Sequence, residues 1–214
     1  MLYRYGLRVG TSLLMHGKMI PGLKKVIHPV GYWRVPEYRF VLQEGHFKAG
    51  DRVLDIGSPK LLALYLAQHA GVEVYATDVD DYFVAEYEAI RRYQHIPDER
   101  LHVQTEDGRK LSFPDNFFDH VYCISTVEHI PGTGDSDCVR EMMRVLKPGG
   151  TALITTPFWP GGKVEYWDAG KVYWASHTEQ MGNGQAFYQR RYSAEEVQER
   201  LIEPSGMKVR LLRF

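Results

Sequence analysis

Strand-like and helix-like runs alternate along most of this chain, and that alternation leaves few folds open. RVLDIG precedes the helical pattern KLLALYLAQHA, VEVYATD precedes DYFVAEYEAIRRY, and LHVQTED leads on to FFDHVYCIS. The helical DSDCVREMMRVL and the apolar GGTALITTPF close the series. Short runs rich in β-branched and aromatic residues mark strands, while apolar positions three and four apart mark helices. Such a series predicts parallel strands joined by right-handed helical crossovers, with helices on both sheet faces. The chain is accordingly assigned to the α/β class, as a doubly wound, mostly parallel sheet. Ligands in that architecture sit beyond the carboxyl ends of the strands, so the residues just after each strand form the candidate site.

The flanks are less regular. Residues 1–46 read as a basic N-terminal extension in which Gly and Pro punctuate short helical pieces, and residues 47–214 read as the domain itself. The run PEYRFVLQEGHF places Pro36 at a helix start with Tyr38, Val41 and Leu42 on one face. Residues 159–191 hold no steady period and read as an insertion or lid. Ser193 and Glu196 then offer a capping box for the helix SAEEVQERLIEPSG, and MKVRLLRF reads as a closing strand.

Composition narrows the partners. With 26 basic and 27 acidic residues the net charge is −1, which excludes a general electrostatic grip on nucleic acid, and no sequence-specific nucleic-acid partner is expected. Cys123 and Cys138 both fall in core patterns, which predicts no disulfide framework and suits a reducing cytoplasm. No apolar run reaches the length of a bilayer span, and the start lacks a signal-peptide core. One asymmetry remains: no acid precedes Glu37, while Arg4, Arg8, Lys18, Lys24, Lys25 and Arg34 sit among large apolar residues. This segment either contacts an anionic membrane surface peripherally, receives an acidic substrate, or packs over the domain with its cations solvated.

The first strand ends in DRVLDIGSPK, and Asp78 follows the second about twenty residues later, the spacing of a nucleotide-type site. Gly57 permits a tight turn and close approach to a ligand, the next helix turns free N–H groups toward it, and Asp78 can accept from ribose hydroxyls. The histidines are scattered and the cysteines lack zinc-site spacing, so no metal site is expected.

Two further segments, EDGRKLSFPDNFFDHVYCISTVEHI and REMMRVLKPGGTALITTP, resemble the class I S-adenosylmethionine-dependent methyltransferases. The resemblance covers roughly residues 47–157, returns in 192–214, and is absent from the N-terminal arm. It implies a Rossmann-like methyltransferase fold with S-adenosyl-L-methionine as cofactor. It also assigns Asp55 and Gly57, with Ser58 and Pro59, to the loop around the methionine part, and Asp78 with Val79 to the ribose. Asp107 and Gly108 fall to the adenine side and Ser125 to the methionine side, while Asp119 matches a structural acid opening the fourth strand. For Asp55 a purely structural hydrogen bond is an equal reading. The chain departs from the family at Pro59 and Leu61, where further glycines are usual. Either Pro59 opens the next helix and Lys60 reaches an anionic group, or the loop is degenerate.

Methyl transfer from a sulfonium relies on positioning and exclusion of water, so no strong catalytic motif is required. For a hydroxyl acceptor Glu128 and His129, and secondarily His177, are candidate general bases, with loop orientation or surface packing as the alternative role of each. Trp159, Tyr166, Trp167, Tyr173 and Trp174 either wall an acceptor pocket or close a minor core. The expected substrate is a small molecule, a glycan-type compound or a lipid-linked acceptor. The family's final antiparallel strand has no counterpart after Phe214, which predicts truncation or a homodimer through an open sheet edge. Two other functions stay open: a nicotinamide-dependent oxidoreductase, weakened by the glycine-poor GSPKLL, and a catalytically degenerate binding module.

Overall fold

A computed structural model describes residues 1–57, 61–172 and 175–213. Ser58, Pro59, Lys60, Tyr173, Trp174 and Phe214 lie outside the described residues, and with them the expectations for the Pro59 loop and for two of the insertion's aromatics.

The sheet has five strands in the order β3-β2-β1-β4-β5, all neighbouring pairs parallel. They are β1 (Arg52–Ile56), β2 (Glu73–Asp78), β3 (Leu101–Thr105), β4 (Phe118–Ile124) and β5 (Leu146–Thr155). Crossovers run through α4 (Leu61–His69), α5 (Asp81–Tyr93) and α6 (Gly134–Val145), so the alternation read in the sequence is the alternation of the fold. The order reverses between β1 and β4, which opens the crevice expected at a topological switch.

Successive strand residues point to opposite faces, and each face builds its own core. Val53, Val74, Ala76, Tyr122 and Ile124 pack against Leu62, Leu64 and Leu66 of α4 on one side. Leu54, Ile56, Val121 and Cys123 pack against Val139 and Met142 of α6 on the other. Full burial of such a side chain contributes about 1.5–3 kcal/mol, so these two layers dominate the stability of the sheet. Asp119 acts at the base of β4: its carboxylate accepts from Arg52 N (2.9 Å) and Lys147 Nζ (2.8 Å), tying β4 to both neighbours.

Three N-terminal helices precede the sheet: α1 (Leu2–Met15), α2 (Met19–Ile27) and α3 (Arg34–Glu44). Here the glycine signal misleads. Gly6 and Gly10 do not break α1 but lie inside it, on the side pressed against the segment that follows. Helix α3 starts at Arg34, leaving Pro36 in the first turn, where its missing N–H costs nothing.

The stretch read as an insertion has structure of its own, and one further expectation is corrected. The stretch 159–191 contains an antiparallel pair, β6 (Lys163–Asp168) with β7 (Gln185–Arg191), forming a separate two-stranded sheet. The segment MKVRLLRF forms no strand over its described residues 207–213. Its alternation suits a half-buried strand, yet Met207, Val209, Leu211 and Leu212 are all exposed, and Arg210 and Arg213 reach Glu44 of α3 at 3.5 and 3.6 Å. An alternating pattern specifies a strand only where a partner edge and a core lie beneath it. The preceding helix does form: Ser193 and Glu196 make both bonds of a capping box at α7 (Ala194–Val197), which continues through a π-helical stretch (Gln198–Ile202) into a last turn (Glu203–Ser205). Among the described residues no helix is long and apolar enough to cross a membrane.

Candidate functional site

Beyond the carboxyl ends of β1, β2, β3 and β4 lies one cleft, lined in turn by Gly57, Asp78 with Val79, Asp107 with Gly108, and Ser125. Gly57 fixes its floor. It holds φ 82°, and a side chain added there would collide with Thr126, because the turn after β1 presses on the turn after β4. Only a residue without Cβ combines that dihedral with that contact.

Each acid in the cleft is restrained. Asp78 is nearly buried, and its Oδ1 accepts from Asp80 N at 2.9 Å. Asp107 meets the Arg109 guanidinium in a fork, at 2.9 Å from Nε to Oδ1 and 2.7 Å from Nη2 to Oδ2, and also accepts from Arg109 N. Those bonds hold its carboxyl below the usual carboxylate range. Glu106, which also lines the cleft, accepts from Gln104 Nε2 (2.8 Å) and Ser112 N (2.9 Å).

The wall after β4 is shaped from far away in the chain. Ser125 adopts φ 46°, unusual for a residue with a side chain, and is held there by Ser125 N donating to the Thr155 carbonyl at 2.9 Å and Ser125 Oγ donating to Glu37 Oε1. The same Glu37 oxygen accepts from Thr155 Oγ1 at 2.7 Å, and Glu37 Oε2 from Arg34 Nη1 at 2.8 Å. Arg34 itself lines the cleft, so α3 of the N-terminal segment completes the site.

Two predicted residues stand behind the cleft instead of lining it. Asp55 is fully buried on the α4 side of the sheet, where its charge, after burial itself, pushes the Tyr122 phenol upward. Glu128 is 2 % exposed, with Thr156 Oγ1 donating to it at 3.4 Å. His129, by contrast, lines the cleft. Its Nδ1 is 2.6 Å from the Tyr188 carbonyl oxygen and its Nε2 is 4.0 Å from Glu128 Oε1. A carbonyl only accepts, so Nδ1 carries the proton and Nε2 keeps the lone pair in the neutral ring. His177 lines the cleft too, and its charge helps, after Arg109, to depress the Asp107 carboxyl.

Sequence reasoning noted Arg34 only as one cation of the basic segment, and missed Glu37, Phe83, Glu106, Arg109 and Thr126. Arg109 had a signal, standing two residues after a strand-end acid; Glu37 had none, because Thr155 lies 118 positions away. Among the insertion's described aromatics, Tyr166 meets the buried Phe187 edge to face. Trp159 and Trp167 are about half exposed, and Trp167 stacks on Tyr188 at 3.6 Å between ring centres, across the β6–β7 pair.

Chemically, the cleft brings carboxylates from β2 and β3 to bear on hydrogen-bond donors and offers backbone at Gly57 and Gly108 for close approach. Asp78, Asp80, Glu106 and Asp107 outnumber Arg34 and Arg109, and each guanidinium already answers one carboxylate, so the excess charge favours a cationic ligand.

The methyltransferase domain family matches residues 54–154. Phosphoethanolamine N-methyltransferase 2 of Caenorhabditis elegans is 32% identical over 130 residues, covering 60% of this chain and 28% of the relative. The ubiquinone/menaquinone biosynthesis C-methyltransferase UbiE of Neisseria meningitidis is 32% identical over 146 residues, covering 66% and 53%. The chain thus spans about half the length of that relative, and less of the nematode one. Among solved structures, phosphoethanolamine N-methyltransferase 2 of Haemonchus contortus, in complex with phosphomonomethylethanolamine and S-adenosylhomocysteine, superposes with a TM-score of 0.58 at 25% identity, over 79% of this chain and 37% of its own.

Proposed function

We propose that the chain is a class I S-adenosylmethionine-dependent methyltransferase, as its match to the methyltransferase domain family over residues 54–154 supports, and that it methylates a small-molecule, glycan-type or lipid-linked acceptor held beside the β4 end of the cleft. The observation that carries this reading is the convergence of Asp78, Asp107, Gly57 and Ser125 from four strand ends on one cleft with surplus negative charge. The donor fits those residues. Asp78 suits a ribose diol, Asp107 and Gly108 suit the adenine edge, and Gly57 lets the methionine portion approach the backbone. When bound, S-adenosylmethionine supplies a methyl group already activated on a cationic sulfur.

The rest falls to the protein's own residues. Arg34 and Ser125, locked through Glu37, keep the wall after β4 rigid, so that an acceptor is oriented with little loss of freedom at the moment of reaction. For a hydroxyl acceptor we assign the base to His129. With Nδ1–H donating to the Tyr188 carbonyl, Nε2 carries the lone pair of the neutral ring and is the nitrogen able to take a proton, with the buried Glu128 4.0 Å away. The relatives are named for methylation at nitrogen and at carbon, so an amine or an activated carbon is an equally suitable acceptor.

The clamp of Arg109 on Asp107 favours a second reading, a binding module without turnover, because it occupies the acid assigned to adenine. Calorimetric titration with S-adenosylmethionine and S-adenosylhomocysteine, with NAD as control, decides between them. Saturable binding that Asp78→Ala loses is the expected result. Binding of NAD alone points to an oxidoreductase, and no binding at all points to the module. In an acceptor screen, His129→Asn is expected to keep cofactor affinity while losing about 100-fold or more in turnover of a hydroxyl acceptor.

A further inference from the structure

The cleft leaves the most unusual surface of the molecule unexplained. Helices α1 and α2 pack as a hairpin through small residues: a Cβ added at Gly10 would lie 2.8 Å from Val26 N, and one added at Gly22 would lie 2.8 Å from the Leu14 side chain. The contact uses Gly22 and Val26 of α2, and Gly22 is the helix's one buried residue. Met19, Ile20, Leu23 and Ile27 are instead 65, 71, 54 and 58 % exposed. At about 100° per residue these four fall within a single arc of roughly 100°. The outward face of a surface helix is ordinarily polar, so this one is turned inside out.

Charge identifies what would cover it. Lys24 borders the apolar arc, Lys18 precedes it, and Arg4 and Arg8 lie exposed on α1 beside Tyr3 and Leu7. None of these four cations forms an ion pair among the described residues, and no acid occurs before Glu37. Lys25 differs, being half-buried in a hollow that Glu86 also lines. Lys24 and Lys25 also line an apolar hollow between the hairpin and Leu64 and Ile90 of α4 and α5. A second copy of this chain would bring lysines against lysines, with no acid to meet them. We infer that the α1–α2 hairpin docks the protein on an anionic lipid surface, with Met19, Ile20, Leu23 and Ile27 entering the headgroup boundary and Lys18, Lys24, Arg4 and Arg8 meeting phosphates. An apolar helix face with flanking cations gains both from buried hydrocarbon and from the surface potential. The inference is independent of the methyl acceptor, since none of the hairpin's residues lines the cleft.

Flotation of the full chain with vesicles tests it. Binding is expected to vesicles of phosphatidylcholine mixed with phosphatidylglycerol, to be weak on phosphatidylcholine alone, and to fall as salt rises. The triple variant Ile20→Ser, Leu23→Ser, Ile27→Ser should stay unbound. Lys18→Glu with Lys24→Glu should weaken binding about 25-fold or more, at roughly fivefold per lysine. Unchanged circular dichroism in both variants keeps loss of folding out of the comparison. Failure of the wild type to float, equal binding to both vesicle types, or binding indifferent to the lysine reversal would overturn the proposal. So would a dimer in sedimentation that the triple variant dissolves, which assigns the face to a second copy.

Discussion

The strand-end cleft and the α1–α2 hairpin are opposites in how they treat charge. In the cleft, Asp107 is forked by Arg109, Asp78 receives Asp80 N, and Glu37 gathers Arg34, Ser125 and Thr155. On the hairpin, exposed lysines and arginines stand beside exposed Met19, Ile20, Leu23 and Ile27. The first surface is organised before any ligand arrives, so little reorganisation is left for binding. The second is organised only relative to something outside the chain. A polar group answered within the fold therefore reads as a built site, and an apolar face bordered by unanswered cations reads as a surface for docking.

The largest test of that contrast is Gly57→Val. The new side chain meets Thr126 at a positive φ, so we expect a loss of about 3 kcal/mol or more in urea unfolding, together with loss of cofactor affinity. Near-native stability would mean that the turns after β1 and β4 give way, and the cleft is not preorganised.

A second test compares two leucines of the hairpin. Leu13 is buried against the sheet domain, and Leu13→Ala should cost about 2 kcal/mol or more, whereas Leu23→Ser should stay within about 0.5 kcal/mol. Equal losses would show that the outward face of α2 is covered in solution even without lipid.

The smallest effect concerns pH. The Arg109 fork depresses the Asp107 carboxyl in the folded state below its unfolded value of about 3.9. Its stabilising contribution is thus complete above about pH 4 and is lost as pH falls through the folded value. Both side chains are about two-fifths exposed, so the effect is modest. Arg109→Met should flatten this acid limb of stability, and an unchanged limb would mean that the fork is not formed in solution.

Much of this contrast was legible in the residues. Asp78 could be placed because strand periodicity locates strand ends, where an α/β sheet receives ligands, while Asp107, Gly108 and Ser125 were assigned by the resemblance to the methyltransferases. The basic, acid-free start of the chain was visible as composition. The glycines there read as breaks, because their use in close helix packing depends on a neighbour that local sequence does not reveal. The β6–β7 pair was hidden for a related reason: with both faces partly exposed, KVEYWD and QAFYQRR lack the clean alternation of a half-buried strand. MKVRLLRF had alternation without a partner, and stayed irregular over its described residues.

Local period and spacing were enough for the order of strands and helices, the helices on both sheet faces and the position of Asp78 after the second strand. Tertiary structure alone decided that Asp55 and Glu128 lie behind the cleft while His129 lines it, that Glu37 crosses to Ser125 and Thr155, and that α2 turns its apolar face outward. Those outcomes depend on which distant surfaces come within hydrogen-bonding or van der Waals reach, and neither periodicity nor composition encodes that distance.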